Sequence, residues 1–262
     1  MDLINEGVYD KTSLKAIFMA GGPGSGKSFI ANGLFGIPKK VPMTSMYGLK
    51  VVNSDTEFEH YLRKFGFDTE TGAGYGKGTL DLQQWPKEVW DMVGGEQSPE
   101  DAKKNPNLRA MTKKYTLMRK MGYMNNRLGM IIDGTARDYG KIAQEKKELE
   151  KMGYDCYMVF VNTTLPVAQE RNQKRARKLP PKLLEKSWKQ VQQNLGKFQG
   201  LFKSNFLVVD NSKTMSEEEA IAKFGKLIKQ GIGKFVKRGI KNPMGKQWIK
   251  NQMLLKKKGL SK

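Results

Sequence analysis

One cysteine and one histidine are all the thiol and imidazole this chain carries. Cys156 alone excludes an internal disulfide, and His60 alone leaves no His/Cys metal cluster, so any metal is expected on oxygen ligands. No apolar run approaches the roughly 20 residues that a membrane-crossing helix requires, and no span is expected. The opening stretch MDLINEGVYDKTS has neither the basic start nor the apolar core of a secretory leader, so a cytoplasmic location is the expectation. Acid is also scarce: 26 Asp and Glu face 47 Lys and Arg, a net charge of +21. Such a field draws polyanions, whether nucleic acid, nucleotides, anionic lipid surfaces or phosphorylated small molecules. The segment from Ile228 to Lys262 has no acidic residue and reads as a basic tail.

What is present alternates short apolar runs with longer amphipathic ones, the pattern of βα units around a mainly parallel sheet. Five runs read as strands: LKAIFMA, GLKVVNSD, LGMIID, CYMVFVN and NFLVVDN. At 262 residues the chain suits one main domain with appendages, here a core over 1–227 and the tail over 228–262. Between the second and third strands, residues 66–107 are rich in glycine and tryptophan and too long for a simple connection, so an inserted lobe is expected. Within it the glycines from Gly72 to Gly78 read as a surface loop, and Trp85 and Trp90 as anchors of the lobe or as platforms for a base or sugar.

The stretch GGPGSGKS follows the first strand and opens a helix, with Gly21, Gly26, Lys27 and Ser28 at phosphate-loop spacing. Glycines let consecutive N–H groups face a phosphate, the helix adds its positive end, Lys27 reaches the outer phosphates and Ser28 ligates magnesium. ATP and Mg2+ are therefore the expected ligands, held along Gly22, Pro23, Gly24, Ser25, Gly26, Lys27, Ser28 and Phe29. The fold expected is α/β, a P-loop NTPase or kinase fold with a five-stranded sheet and helices on both faces.

Other residues have two readings each. Asp55, where the second strand meets its helix, is either a carboxylate that deprotonates an acceptor hydroxyl or a helix N-cap. Asp133, after three apolar residues, is either a magnesium-holding carboxylate or the cap of the next helix. Thr135 and Arg137 follow it on a turn that suits an anionic ligand. Arg171, Arg175 and Arg177 precede a double proline, as a lid over residues 166–181 that folds cations onto the transferring phosphate, or as a solvated basic helix. The tail, with Trp248, Leu254, Leu255 and Lys256 to Lys258, suits nucleic acid, an anionic membrane or plain solvation.

The order GGPGSGKS, VVNSD, IIDGTAR resembles the zeta-toxin family of P-loop kinases, and the likeness runs on through KELEKMGYDCYMVFVNTTLPVAQERN. That resemblance implies that Lys27 and Ser28 bind ATP and magnesium and that Asp55 is the base. It further implies that Asp133, Thr135 and Arg137 serve the substrate and metal side, and that Arg171 and Arg177 reach the phosphates. It also implies an anionic acceptor such as a nucleotide sugar and an inhibitory protein partner. Asp133 stands where the family has glutamate, one methylene shorter. The VVNSD turn also resembles polynucleotide 5'-kinases, whose acceptor is a nucleic-acid hydroxyl.

Overall fold

The computed structural model describes residues 8–37, 43–66, 87–94, 97–175, 178–213 and 215–259. Five strands, β1 (Lys15–Ala20), β2 (Lys50–Val52), β3 (Met130–Asp133), β4 (Asp155–Asn162) and β5 (Phe206–Asp210), form one parallel sheet in the order β2-β3-β1-β4-β5. The helices, in chain order, are α1 (Lys27–Phe35), α2 (Ser54–Lys64), α3 (Lys87–Val93), α4 (Pro99–Lys104), α5 (Leu108–Asn125), α6 (Tyr139–Lys151), α7 (Leu165–Gln173), α8 (Pro181–Phe202), α9 (Glu217–Ile228), α10 (Lys234–Lys237) and α11 (Pro243–Lys257). A π-helical turn, Lys229–Gly233, joins α9 to α10.

All of β1 is buried, which explains why it reads as an uninterrupted run rather than an alternating one. Its alternate side chains still divide between two cores. Ile17 and Met19 pack with Ile30 and Phe35 of α1, Val159 of β4 and Phe224 of α9. Ala16, Phe18 and Ala20 pack on the other face with Met158 and Phe160 of β4 and Val191 and Phe198 of α8. Helices therefore cover both faces, as expected. Cys156 lies buried in β4, where burial pushes its thiol up and keeps it unreactive.

A third, small cluster lies beside the segment read as an inserted lobe. Phe58 and Leu62 of α2, Val89 and Val93 of α3 and Leu108 of α5 meet apart from the sheet. Gly72 to Gly78, Trp85 and the side chain of Trp90 lie outside the described residues. No helix among the described residues is long and apolar enough to cross a membrane.

The tail is packed into the domain. Ile232, Phe235 and Val236 enter the first core, Ile240 the second, and Trp248 and Ile249 pack against the second. Asp155, the first residue of β4, accepts from the backbone N–H of Lys241 and of Asn242, each at 2.9 Å. Lys15, the first residue of β1, is fully buried; its Nζ donates to the Arg238 carbonyl at 2.7 Å and lies 3.9 Å from Asp155 Oδ2. A Cβ on Gly245 would stand 2.3 Å from the Gly153 carbonyl oxygen, so α11 meets the start of β4 backbone to backbone. The run of lysines suggested solvation, but the apolar residues between them decide the outcome. The exposed end of α11 contributes Lys246, Lys250 and Lys257 to a cavity of about 480 Å³ shared with Tyr9 and Ile240.

Candidate active site

Strand β1 runs into a loop whose shape only glycine allows at two points. Gly24 has φ 74, and a Cβ there would lie 2.4 Å from the Ala168 carbonyl oxygen; Gly26 has φ 83, and a Cβ would lie 2.4 Å from Asn211 Nδ2. Helix α1 begins at Lys27 with no side-chain cap and no acid in its first turn. Its first N–H groups lack helical acceptors, and the positive end of the helix is directed where an anion would sit. Lys27 Nζ donates to the Gly21 carbonyl at 3.0 Å, and Ser28 is exposed beside it.

The loop is braced from β5 and α7. Asn211, buried, accepts through its carbonyl from Thr163 Oγ1 at 3.3 Å and donates through Nδ2 to the Ser25 carbonyl at 2.9 Å. Arg171 donates to the carbonyls of Asn211 and Lys213 at 2.9 Å each, and at 3.5 Å to that of Ser25. In this structure the Arg171 guanidinium thus supports the loop from its own backbone. Burial works against its charge, a cost that a nearby phosphate anion would offset. The first part of the expected lid is α7, whose Ala168 is buried against Gly24. Arg177 lies outside the described residues.

At the end of β3, Asp133 Oδ2 accepts from Asn53 Nδ2 at 2.8 Å, while Oδ1 is buried without a partner among the described residues. Burial pushes its pKa up to about 6; Lys27 pulls it down and the Asp55 charge adds to the rise. Asn53 also caps α2, accepting from the Asp55 N–H at 2.8 Å. Asp55 is therefore in the first turn of α2 and does not cap it, and Asp133 does not cap α6, because Asp138 does so by accepting from Lys141. The Asp55 carboxylate instead pairs with Arg109 Nη2 at 2.6 Å.

Between Thr135 and Arg137, Ala136 takes φ 56, a conformation that side chains rarely adopt, and Asn194 of α8 holds it by donating to the Arg137 carbonyl at 2.8 Å. Arg137 donates to Ser187 Oγ at 3.2 Å, linking the turn to α8. Trp188 of α8 lies 3.5 Å from where a Cβ on Gly22 would sit.

Sequence reasoning missed Asn53, Arg109, Asn194 and Asn211. Asn53 stood inside a motif already singled out. Arg109 had no signal of its own among 47 cationic residues, because only the return of α5 to the sheet brings it to Asp55.

The residues present suit Mg-ATP. The left-handed glycines and uncapped helix leave room for phosphate. Asp133 Oδ1, bare and fixed through its partner oxygen, and the Ser28 hydroxyl are hard oxygen donors suited to magnesium.

Several solved structures resemble the chain at low identity. A sugar kinase from a Janibacter species has 17% identity and a TM-score of 0.41, covering 86% of this chain and 99% of that one. Shikimate kinase from Acinetobacter baumannii has 14% identity and a TM-score of 0.40, covering 86% and 97%. The PezAT chromosomal toxin-antitoxin system of Streptococcus pneumoniae has 13% identity and a TM-score of 0.41, covering 84% and 88%. At such scores they carry no argument about what this chain does. No curated protein matches its sequence. The match that does carry weight spans residues 17–198, from the strand that delivers the phosphate loop to the helix that packs on it. By that match the chain belongs to the AAA domain family AAA_33.

Proposed function

We propose that this protein is a Mg-ATP-dependent phosphotransferase of the zeta-toxin-like kinase class, moving the γ-phosphate of ATP to a hydroxyl of a small anionic acceptor such as a nucleotide sugar. The observation that supports this most is the meeting of two carboxylates at the phosphate-loop end of the sheet, in different states. Asp133 has one buried, bare oxygen, whereas Asp55 is half exposed and paired with Arg109. A motor or switch needs the first carboxylate; transfer to an alcohol calls for the second as well.

In this reading the loop from Gly22 to Phe29 binds the triphosphate, Lys27 neutralises its outer phosphates, and Ser28 and Asp133 hold the metal. The metal, when bound, supplies further charge neutralisation across the outer phosphates. Asp55 takes the acceptor's hydroxyl proton as the acceptor oxygen forms its new bond to phosphorus, the bridging P–O bond breaks and ADP leaves. Thr135 and Arg137 line the acceptor side. Arg171, and Arg177 with it, stabilise charge on the transferring group, Arg171 by turning from the Ser25 carbonyl. The chemistry is positioning and electrostatics rather than covalent catalysis. An inhibitory protein partner belongs to the same reading, through the zeta-toxin resemblance, and a cytoplasmic location is proposed with it.

The second reading is a polynucleotide 5'-hydroxyl kinase, favoured by the exposed lysines of α11 around the cavity beside Tyr9. These lysines lie past the amino end of β4, about 25 Å along the strand from the phosphate loop at 3.3 Å per residue. A nucleic acid would have to span that length. The test is incubation with γ-labelled ATP and a panel of nucleotide sugars, nucleosides and 5'-hydroxyl oligonucleotides. Label is expected in an anionic small acceptor; label in the oligonucleotide selects the second reading. ADP production with no labelled acceptor overturns both and leaves an ATPase or accessory protein.

A further inference from the structure

Arg109 enters the site from α5, the helix that follows the segment read as an inserted lobe. It is the second residue of α5, whose N-terminus Asn107 caps by accepting from the Ala110 N–H at 2.9 Å. The guanidinium is held on three sides: Nη1 donates to the Ser54 carbonyl at 3.2 Å, Nη2 donates to Asp55 Oδ1 at 2.6 Å, and the carbon of the group lies 4.9 Å from the centre of the Phe58 ring. A ring face and a backbone carbonyl together fix the plane of this cation, which is how a protein aims arginine's fork at an oxyanion.

The pair is poorly suited to holding the fold together. Asp55 is 49% exposed and Arg109 23%, and ion pairs so open to water contribute little to stability. It also engages the carboxylate that, as the base, must receive a proton.

The geometry points to Arg109 as the residue that recognises the acceptor's anionic group, with Asp55 occupying that anion's place until the acceptor arrives. This rests on the reading of Asp55 as the base. A phosphate of the acceptor takes the guanidinium bidentately, the Asp55 carboxylate leaves arginine, and the acceptor's hydroxyl meets that carboxylate. The substrate class that follows is a hydroxyl compound bearing a phosphate ester. A neutral alcohol would bind with the base still tied to arginine.

The test is a binding measurement that needs no turnover. With the phosphate loop filled by Mg-ADP, glucose 1-phosphate and glucose are titrated by calorimetry against wild type, Arg109→Gln, Arg109→Lys and Asp55→Asn. Wild type is expected to prefer the phosphate ester by about tenfold or more, a preference that Arg109→Gln abolishes and Arg109→Lys partly restores. Asp55→Asn should tighten ester binding, because the internal competitor loses its charge. A merely structural ion pair gives a different pattern, in which both substitutions weaken binding or neither changes it. Either of those patterns, or equal binding of ester and sugar by wild type, overturns the inference. Melting temperatures check that each variant is folded, and Arg109→Lys carries the comparison if the glutamine variant is not. Failure to phosphorylate any acceptor would instead count against the kinase reading, with the anion-binding result standing by itself.

Discussion

At the carboxyl ends of β1 and β3, Asp133 Oδ1 and Ser25 Oγ are buried without partners among the described residues. At the amino ends of β1 and β4, Lys15 and Asp155 are just as buried, yet Lys15 has the Arg238 carbonyl and Asp155 has two backbone N–H groups; among the described residues Arg127 Nε and Arg238 Nε stay bare there, each on a guanidinium that donates through another nitrogen. One sheet thus has a pole whose bare atoms are oxygens that a ligand can meet and a pole whose bare atoms belong to guanidinium groups already anchored through their other nitrogens. An unsatisfied buried group costs about 1 to 3 kcal/mol, so the first pole gives up stability that a ligand can restore. The second holds the strands in register while it does so.

Substitutions at the two poles should therefore separate activity from stability. The largest effect is expected from Asp55→Asn: phosphoryl transfer should fall about a hundred- to ten-thousandfold, with the melting temperature and Mg-ATP affinity nearly unchanged. Turnover within a few fold of wild type would remove Asp55 from the chemistry. At the other pole, Asp155→Ala strands the Lys15 charge and two backbone donors and should destabilise by about 3 to 5 kcal/mol in denaturant melts. Nucleotide affinity of the molecules still folded should hold, and a specific loss of that affinity would mean the poles are coupled.

Asp133→Asn sharpens the comparison through pH. The Asp133 pKa is raised to about 6 from 3.8, so between those values the folded state holds more protons than the unfolded state, and stability falls as pH rises through the window. The asparagine variant escapes this. Without nucleotide or magnesium it should gain on wild type from pH 4 to 6, by up to about 3 kcal/mol, and the gain should then level off. A pH-independent difference would refute the burial account. Smallest is Gly245→Ala, where the new Cβ meets the Gly153 carbonyl at 2.3 Å. A loss of about 1 to 3 kcal/mol is expected, with catalysis per folded molecule intact. A variant as stable as wild type would show that α11 can shift at no cost.

Much of the first pole was legible in the sequence because its chemistry is local. The phosphate loop fits within eight residues, and Asp133 follows an apolar run that can only be a buried strand. Local sequence left Asp55 and Asp133 divided between chemistry and capping. The capping reading falls once Asn53 and Asp138 prove to be the caps, which depends on side-chain reach that spacing does not encode. Arg109 and Asn211 were not legible, since each joins the site across a long separation. The second pole was misread for a related reason. The spacing of Phe235, Ile240 and Trp248 among lysines has no single period, as the segment passes from one face of the sheet to the other.

The bond between Lys15 and Arg238 spans 223 residues of chain. During synthesis at about 5 to 20 residues per second, the strand that carries the phosphate loop emerges well before the acceptor for its buried ammonium. The nascent chain must keep that lysine in water until the segment carrying Arg238 follows, so the central strand cannot settle early on the ribosome. Sealing of the amino end of that strand thereby waits on a segment made 223 residues later, and a chain cut short before Arg238 would display its phosphate loop on a strand with nothing to seal its base.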